Sequence, residues 1–410
     1  MPKTYLEEIK KANPDEYRIL SKSRGNAPEN NLNIKHVFGF RCYDTKNSVK
    51  YTSNQNNILF ISSGLGVVMD MSSKKQSFFY QHKNEVVSVA LHPKLNICAT
   101  GEMINPKNNL CNSDIYGTKN NLVSIYVWDV ETKNVISHLK GFHLNAVSHL
   151  VFSPDGTKLL SLGKDSDHSL AIYDWLNERI IATTKIDRHQ VTDVCFKDDY
   201  EFVTIGTKHI KWWTLHGSNL TCRRGKWSAE KAEPLVSVTI AFTQKICCTG
   251  SINGKLLVWS GYSCAKNRIN AHDNKPVRVL YNLKHFLYSG GDDGKIKTWT
   301  YNNKIQANVY QFCLKTAFPS GIRSLDIKND RSLLLGTCGG EIHEVAPEKE
   351  DVTNIIMQGH FTGELHGLAV NADTTKFATC GGDKTVRKWD AHTNQMLKYQ
   401  FLDEEARAID

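Results

Sequence analysis

Two stretches of the chain carry residues that, brought together, could perform acyl transfer. His272, Ser289, Asp293 and Trp299 form one set, and His360, Thr379, Asp383 and Trp389 form the other. An imidazole, a hydroxyl and a carboxylate within reach of one another are the parts of a nucleophilic triad. The two sets recur in the same order at similar spacing, however, and an enzyme needs one site rather than several. Other chemical signatures are weaker. Gly64-Leu65-Gly66 lacks the further glycine and the following helix of a dinucleotide loop, and no Gly-x-x-x-x-Gly-Lys-Ser/Thr run occurs. Cys247-Cys248 and the scattered histidines lack metal-ligand spacing. No catalytic residue, cofactor or metal ion is expected.

The elements that would position these residues form a repeat. An alternating apolar run, a short turn, a second run ending in Ser/Thr/Cys and Gly, a tight turn, a run ending in Trp and a fourth run recur along the chain. The markers Trp128, Trp175, Trp213, Trp259, Trp299, Val345 and Trp389 step by about 38 to 47 residues, with Val345 standing where the other copies have Trp. Asp155-Gly156, Asn253-Gly254 and Asp293-Gly294 suit left-handed turn positions. A four-stranded unit of this kind is apolar on both faces and cannot bury them alone, so units must stack side by side around an axis. The repeat resembles WD40 blades. The expected fold is all-β, a WD40-type β-propeller of seven complete blades preceded by a partial N-terminal blade. That partial blade would hold three strands, Ile58–Ser62, Gly66–Met71 and Gln76–Tyr80, and lack its innermost one. The resemblance implies that each His–Ser/Thr–Asp–Trp set is a hydrogen-bonded tetrad that stiffens its blade, since buried polar groups must be satisfied.

The segment before the repeats adds a narrower resemblance. His36-Val37-Phe38-Gly39-Phe40-Arg41-Cys42-Tyr43-Asp44 resembles the hydrophobic (HELP) motif that opens the propellers of echinoderm microtubule-associated-protein-like proteins. The polar insertion Glu102–Leu122 matches that family, as do Lys164–His168 leading into Ala171–Trp175, and Gly206–Leu215 followed by Gly217-Ser218. The implied organisation is an N-terminal extension at 1–34, the HELP-like motif at 35–52 and the propeller at 53–402. Residues 403–410 would open a second propeller, Ala406–Asp410 resembling its first strand. Val37, Phe38, Gly39, Phe40 and Arg41 would seal a core edge, with some apolar surface left for a partner. Tyr5–Leu20 could form one short helix interrupted by Pro14, without the sustained heptad of the family's trimerising coiled coil.

The implied function is microtubule association. Partners would be tubulin and other cytoskeletal or axonemal proteins, in the cytoplasm, on the cytoskeleton or in a cilium. The alternative is a WD40 scaffold for a complex without tubulin. With 51 Lys+Arg against 42 Asp+Glu the formal net charge is +9, which favours an acidic partner surface. The basic residues are scattered rather than concentrated, so nucleic acid is not an expected partner. The densest basic patch, Arg223-Arg224-Gly225-Lys226-Trp227, is expected on a loop between repeats. Arg223, Arg224, Lys226 and Trp227, with Lys107 and Lys119 of the insertion, are the candidate partner contacts. No apolar stretch approaches the roughly 18 residues of a membrane span, and the charged start Met1–Lys11 has no apolar signal core. The 11 cysteines are odd in number and irregular in spacing. Cys98, Cys195, Cys247, Cys248, Cys338 and Cys380 fall in apolar runs and read as small buried hydrophobes of a reducing compartment.

Overall fold

The computed structural model describes residues 33–104, 123–228, 232–242, 245–266, 268–301, 305–346 and 353–410. The chain divides into two compact units, Met1–His36 and Val37–Asp410. The Tyr5–Leu20 segment, Lys107 and Lys119 lie outside the described residues. Among those described, every regular element is a β-strand.

The strands build eight antiparallel meanders in chain order. Their middle strands are covered on both faces: Ile58–Ile61 are buried without a break, and so are Leu333–Thr337. A sheet wedged between two neighbours needs this continuous apolar run. The expected turn glycines hold, with φ of +83° at Gly156, +76° at Gly254 and +72° at Gly294. The fifth sheet differs at its outer edge. There Ser263–Cys264 and Ile269–Asn270 are two short pieces that both pair with Lys255–Ser260.

The first sheet is complete rather than partial. Val49–Tyr51 pairs antiparallel with Asn57–Ser62, placing Val49 opposite Phe60 and Tyr51 opposite Ile58. This corrects the expectation of a blade without its innermost strand. The missing strand is only three residues long and comes from within the HELP-like segment.

That strand closes a ring of seven sheets. Each of the seven buried hydrophobic clusters lies at one junction between consecutive sheets, and the seventh joins the last ring sheet to the first. There Phe40, Val49, Ile58 and Phe60 pack with Leu334, Ile342 and Met357. The closing junction uses the same polar device as three of the other junctions. Ser88 Oγ donates to the Val147 carbonyl (2.6 Å), Thr192 Oγ1 to Leu235 (2.7 Å), Ser237 Oγ to Val277 (2.6 Å) and Ser324 Oγ to Val49 (2.9 Å). Likewise Asp193 accepts the Val238 N–H at 3.0 Å, and Asp326 accepts the Tyr51 N–H at 2.8 Å.

The eighth sheet, Leu365 to Phe401, stands outside that ring although its sequence pattern is the clearest of all. It rests on the 37–40 segment and on loops of the seventh sheet. Phe38 packs on Trp389 and Phe377, with ring centroids 4.8 and 5.6 Å apart. The Arg387 guanidinium sits 4.3 Å over the Phe318 ring and donates to the Gly359 carbonyl at 2.6 Å. Its first strand leaves Leu365, Leu368 and Val370 exposed, where the first strands of the ring sheets meet neighbours.

Candidate functional site

The structure brings both polar sets together. His272 Nδ1 lies 2.9 Å from Asp293 Oδ1 and its Nε2 lies 2.8 Å from Ser289 Oγ, which accepts the Trp299 indole N–H at 2.9 Å. His360 lies 2.9 Å from Asp383 and 2.8 Å from Thr379, which accepts the Trp389 N–H at 2.8 Å. The hydroxyl therefore donates to the imidazole, and the imidazole N–H donates to the carboxylate. Ser289 and His272 are fully buried, so no substrate reaches this triad-like chain. Burial is the largest single influence and works to raise the Asp293 and Asp383 carboxyls, but the histidine contacts together with Lys295 at Asp293, and with Thr385 and Arg387 at Asp383, outweigh it and hold both below the usual range.

A third set escaped the sequence reading. His82 Nε2 lies 2.7 Å from Thr100 Oγ1 and Nδ1 lies 3.2 Å from Glu102, and Trp128 donates to Thr100 at 3.0 Å. Its acid is a strand glutamate rather than a turn aspartate, and the insertion separates it from its tryptophan. A Thr-Gly pair after an apolar run, with His upstream, was the available signal. Thr100→Val keeps the shape but leaves the buried His82 and Trp128 nitrogens without partners. It is expected to cost about 2 kcal/mol in urea unfolding, and Thr100→Ser much less. Equal costs for the two would rule out the network.

The ring axis is plugged. The loop before Val49–Tyr51 carries Lys46 into the channel, where its Nζ meets Asp193 on the far side at 2.8 Å and donates to the Val236 carbonyl at 2.7 Å. His149 Nε2 lies 4.0 Å from Asp193. This waist separates cavities of about 740 and 440 Å³, and Lys46 and His149 line both. Burial pulls the Lys46 ammonium below its ordinary value, and Asp193 only partly offsets this. Neither Lys46 nor Asp193 was singled out in sequence, since nothing local marks a pair joined across an axis.

The HELP-like residues sit where the first, seventh and eighth sheets meet. Phe40 is buried against Gly336, while Gly39 takes φ +82° and touches the Gly359 backbone. Arg41 binds Asp44 and Glu85, both at 2.6 Å. Val37 is half-buried on the cluster between the first and seventh sheets, and Gln76 Oε1 accepts its N–H at 2.7 Å.

The basic patch lies only partly on a loop: Gly225, Lys226 and Trp227 follow the strand, and the two arginines belong to it. Arg223 and Arg224 end the outer strand Asn219–Arg224 of the fourth sheet, where an edge strand keeps its long side chains in water. Arg223, Arg224 and Lys226 are exposed. Trp227 is half-buried against Trp259, with ring centroids 5.2 Å apart, so it belongs largely to the core. Lys226 bridges to Ser263 and so carries the chain from the fourth sheet to the edge of the fifth.

Burial pushes the thiols of Cys98, Cys195, Cys247 and Cys248 up, so these four are not poised as nucleophiles. Among the described residues no cluster of His, Cys, Asp or Glu is arranged to hold a metal ion, and no helix is long and apolar enough to cross a membrane.

Comparison with known proteins follows the same division. A protein-family model described as "Echinoderm microtubule-associated protein first beta-propeller" matches residues 75–345, and a WD domain, G-beta repeat, matches 352–390. The first match ends with the third strand of the seventh ring sheet. Echinoderm microtubule-associated protein-like 1 of Homo sapiens is 28% identical over 409 residues, covering 96% of this chain and 47% of that protein. Echinoderm microtubule-associated protein-like 2 of Homo sapiens is 25% identical, covering 94% and 58%. The 77 kDa echinoderm microtubule-associated protein of Lytechinus variegatus is 26% identical, covering 91% and 55%. The chain spans about half the length of the curated relatives it matches.

Proposed function

Because the chain belongs to the echinoderm microtubule-associated protein family, we propose that it is a non-catalytic propeller that binds tubulin on cytoplasmic or axonemal microtubules, together with other cytoskeletal proteins. The observation that carries this reading is the likeness, over 96% of the chain, to a protein named for microtubule association. Physical features support it. The triad-like hydroxyls are consumed in buried networks. The net charge of +9 favours an acidic polymer surface. Arg223, Arg224 and Lys226 stand in water, with no carboxylate in ion-pair contact among the described residues.

The same reading assigns the eighth sheet, with residues 403–410, to the opening of a further propeller. Its exposed Leu365, Leu368 and Val370 present the kind of face that ring sheets bury against a neighbour. Residues 35–52 are then the family's hydrophobic motif, seated between the two.

The test is cosedimentation with microtubules across a salt series. Reversing Arg223, Arg224 and Lys226 to Glu is expected to weaken binding at least tenfold at low salt, with thermal unfolding unchanged. Wild-type binding should also fall as salt rises, because exposed charges are screened within about 8–10 Å at ordinary ionic strength. Pelleting that ignores both salt and charge reversal would falsify the electrostatic reading.

A further inference from the structure

We infer that the smaller of the two channel cavities is a binding site for a small phosphomonoester, whose phosphate is held by Arg323 and Lys164. The cavity measures about 440 Å³, which is the size of a small-molecule site. The Lys46–Asp193 pair closes its floor, and residues 43–46 wall one side. The rest of the wall comes from one repeated feature. The innermost strand of every sheet from the second to the seventh carries a β-bulge at the same place. It leaves Val87, Ser148, Thr192, Val236, Arg278 and Arg323 out of register, and all six line this cavity. A bulge re-aims the side chain of its extra residue. Four of the six are uncharged, and the two on neighbouring sheets are arginines.

One of those arginines is unused. Arg278 Nε and Nη2 both lie 2.8 Å from Asp292 Oδ2, so that oxygen is taken. Arg323 Nη2 lies 4.0 Å from Asp292 Oδ1, too far for a hydrogen bond. The Arg323 side chain is only 20% exposed, yet among the described residues none of its N–H groups meets an acceptor. Its Nε is enclosed without a partner, while the Nη atoms are not enclosed and stay open to the cavity. Largely buried donors are nearly always satisfied, so an acceptor from outside would complete this fork.

Charge then selects the ligand. Lys46 is matched by Asp193, and Asp44, the carboxylate of the wall, is held by Arg41 at 2.6 and 2.7 Å. Asp292 serves two arginines, so one of their charges is uncompensated. Lys164, which lines the cavity from the third sheet, has no carboxylate in ion-pair contact among the described residues. Two unmatched positive charges facing one cavity suit a dianion better than a carboxylate. A phosphomonoester carries close to two negative charges at neutral pH, and a guanidinium binds phosphate through paired N–H groups. Tyr43, 61% exposed at the cavity, offers an aromatic surface to the organic part of the ester.

The test is calorimetric titration of the whole chain with phenyl phosphate, beside benzoate and a short peptide bearing one phosphoserine. Phenyl phosphate is expected to bind about tenfold tighter than benzoate, because it meets both unmatched charges. Arg323→Gln is expected to weaken phenyl phosphate about tenfold, the worth of one charge-assisted hydrogen bond. Lys164→Ala, a change at an exposed side chain, should weaken it about threefold. The thermal midpoint of the ligand-free Lys164→Ala variant should not move, so its loss of binding reads the site and not the fold. Phenyl phosphate that binds no tighter than benzoate, or that binds both variants as well as wild type, overturns the site. A phosphoserine peptide that outbinds phenyl phosphate overturns the small-molecule assignment and makes the ligand a phosphorylated partner. Microtubule pelleting is independent of all these outcomes.

Discussion

Replacing Asp193 by alanine is expected to destabilise the ring by about 3–5 kcal/mol, the usual effect of stranding a buried charge, and Lys46→Met is expected to cost clearly less. The asymmetry follows from the partners each residue keeps. The Lys46 and Asp193 side chains are only 15% and 10% exposed. Without Asp193, the Lys46 ammonium retains only the Val236 carbonyl, and the N–H groups of Val194 and Val238 lose their acceptor. Without Lys46, the Asp193 carboxylate still accepts both of those N–H groups and faces His149. The double variant should therefore be more stable than Asp193→Ala alone, because removing the stranded charge relieves the penalty. Denaturant unfolding of the three variants measures this directly. Hydrogen exchange at Val49–Tyr51 should rise in Asp193→Ala, since Lys46 anchors the loop that delivers this strand to the closing junction. A cost within 1 kcal/mol of zero for Asp193→Ala, or a greater cost for Lys46→Met, would remove the cross-axis pair from the account of ring closure.

The legible parts of this molecule are those encoded within one repeat. Ser289, Asp293 and Trp299 lie close together in sequence, and their grouping needs only a hairpin and its turn, so residue type and spacing reveal it. Val345 could be recognised in place of a tryptophan because the strand around it kept its period. What escaped is encoded between repeats. Val49–Tyr51 is too short to stand out, and only its register against Ile58–Phe60 makes it a strand. Lys46 and Asp193 belong to opposite sides of a ring, and neither neighbourhood carries a mark of the other. The eighth sheet has the full local pattern of a ring blade, and its pattern cannot say which neighbour it meets. Its exclusion shows only in where buried apolar side chains cluster. The basic patch illustrates the same limit. Arg223-Arg224-Gly225-Lys226-Trp227 reads as one exposed unit, yet pairing with Lys211 and Trp212 turns its arginines into strand residues and packing folds Trp227 inward.

Acid should unfold this protein well before its carboxylates protonate. Burial is the chief cause that holds His143, His149 and His209 down to about 4 from the ordinary 6.5. For His149 the Lys46 charge adds to burial. In the unfolded chain each imidazole takes a proton near pH 6.5, while in the folded chain none does so until about pH 4. Between those values the unfolded state binds more protons, so stability falls as pH falls through the window and is fully present only above it. Keeping one histidine neutral to this extent corresponds to about 3 kcal/mol. Three of them approach the whole stability of an ordinary domain, about 5–15 kcal/mol. Between pH 6 and pH 5 each contributes a slope near 1.4 kcal/mol per pH unit. Unfolding free energies at several pH values should therefore drop steeply over this range. His149→Gln, which keeps a polar side chain but cannot titrate there, should remove about one third of the slope contributed by the three. The tetrad carboxylates Asp293 and Asp383 act lower, because their depressed values make them lose stability only as pH falls below the ordinary carboxylate range. A flat profile from pH 6.5 to 5, or a slope untouched by His149→Gln, would mean that these histidines are not held neutral by burial and that the channel waist is open to water.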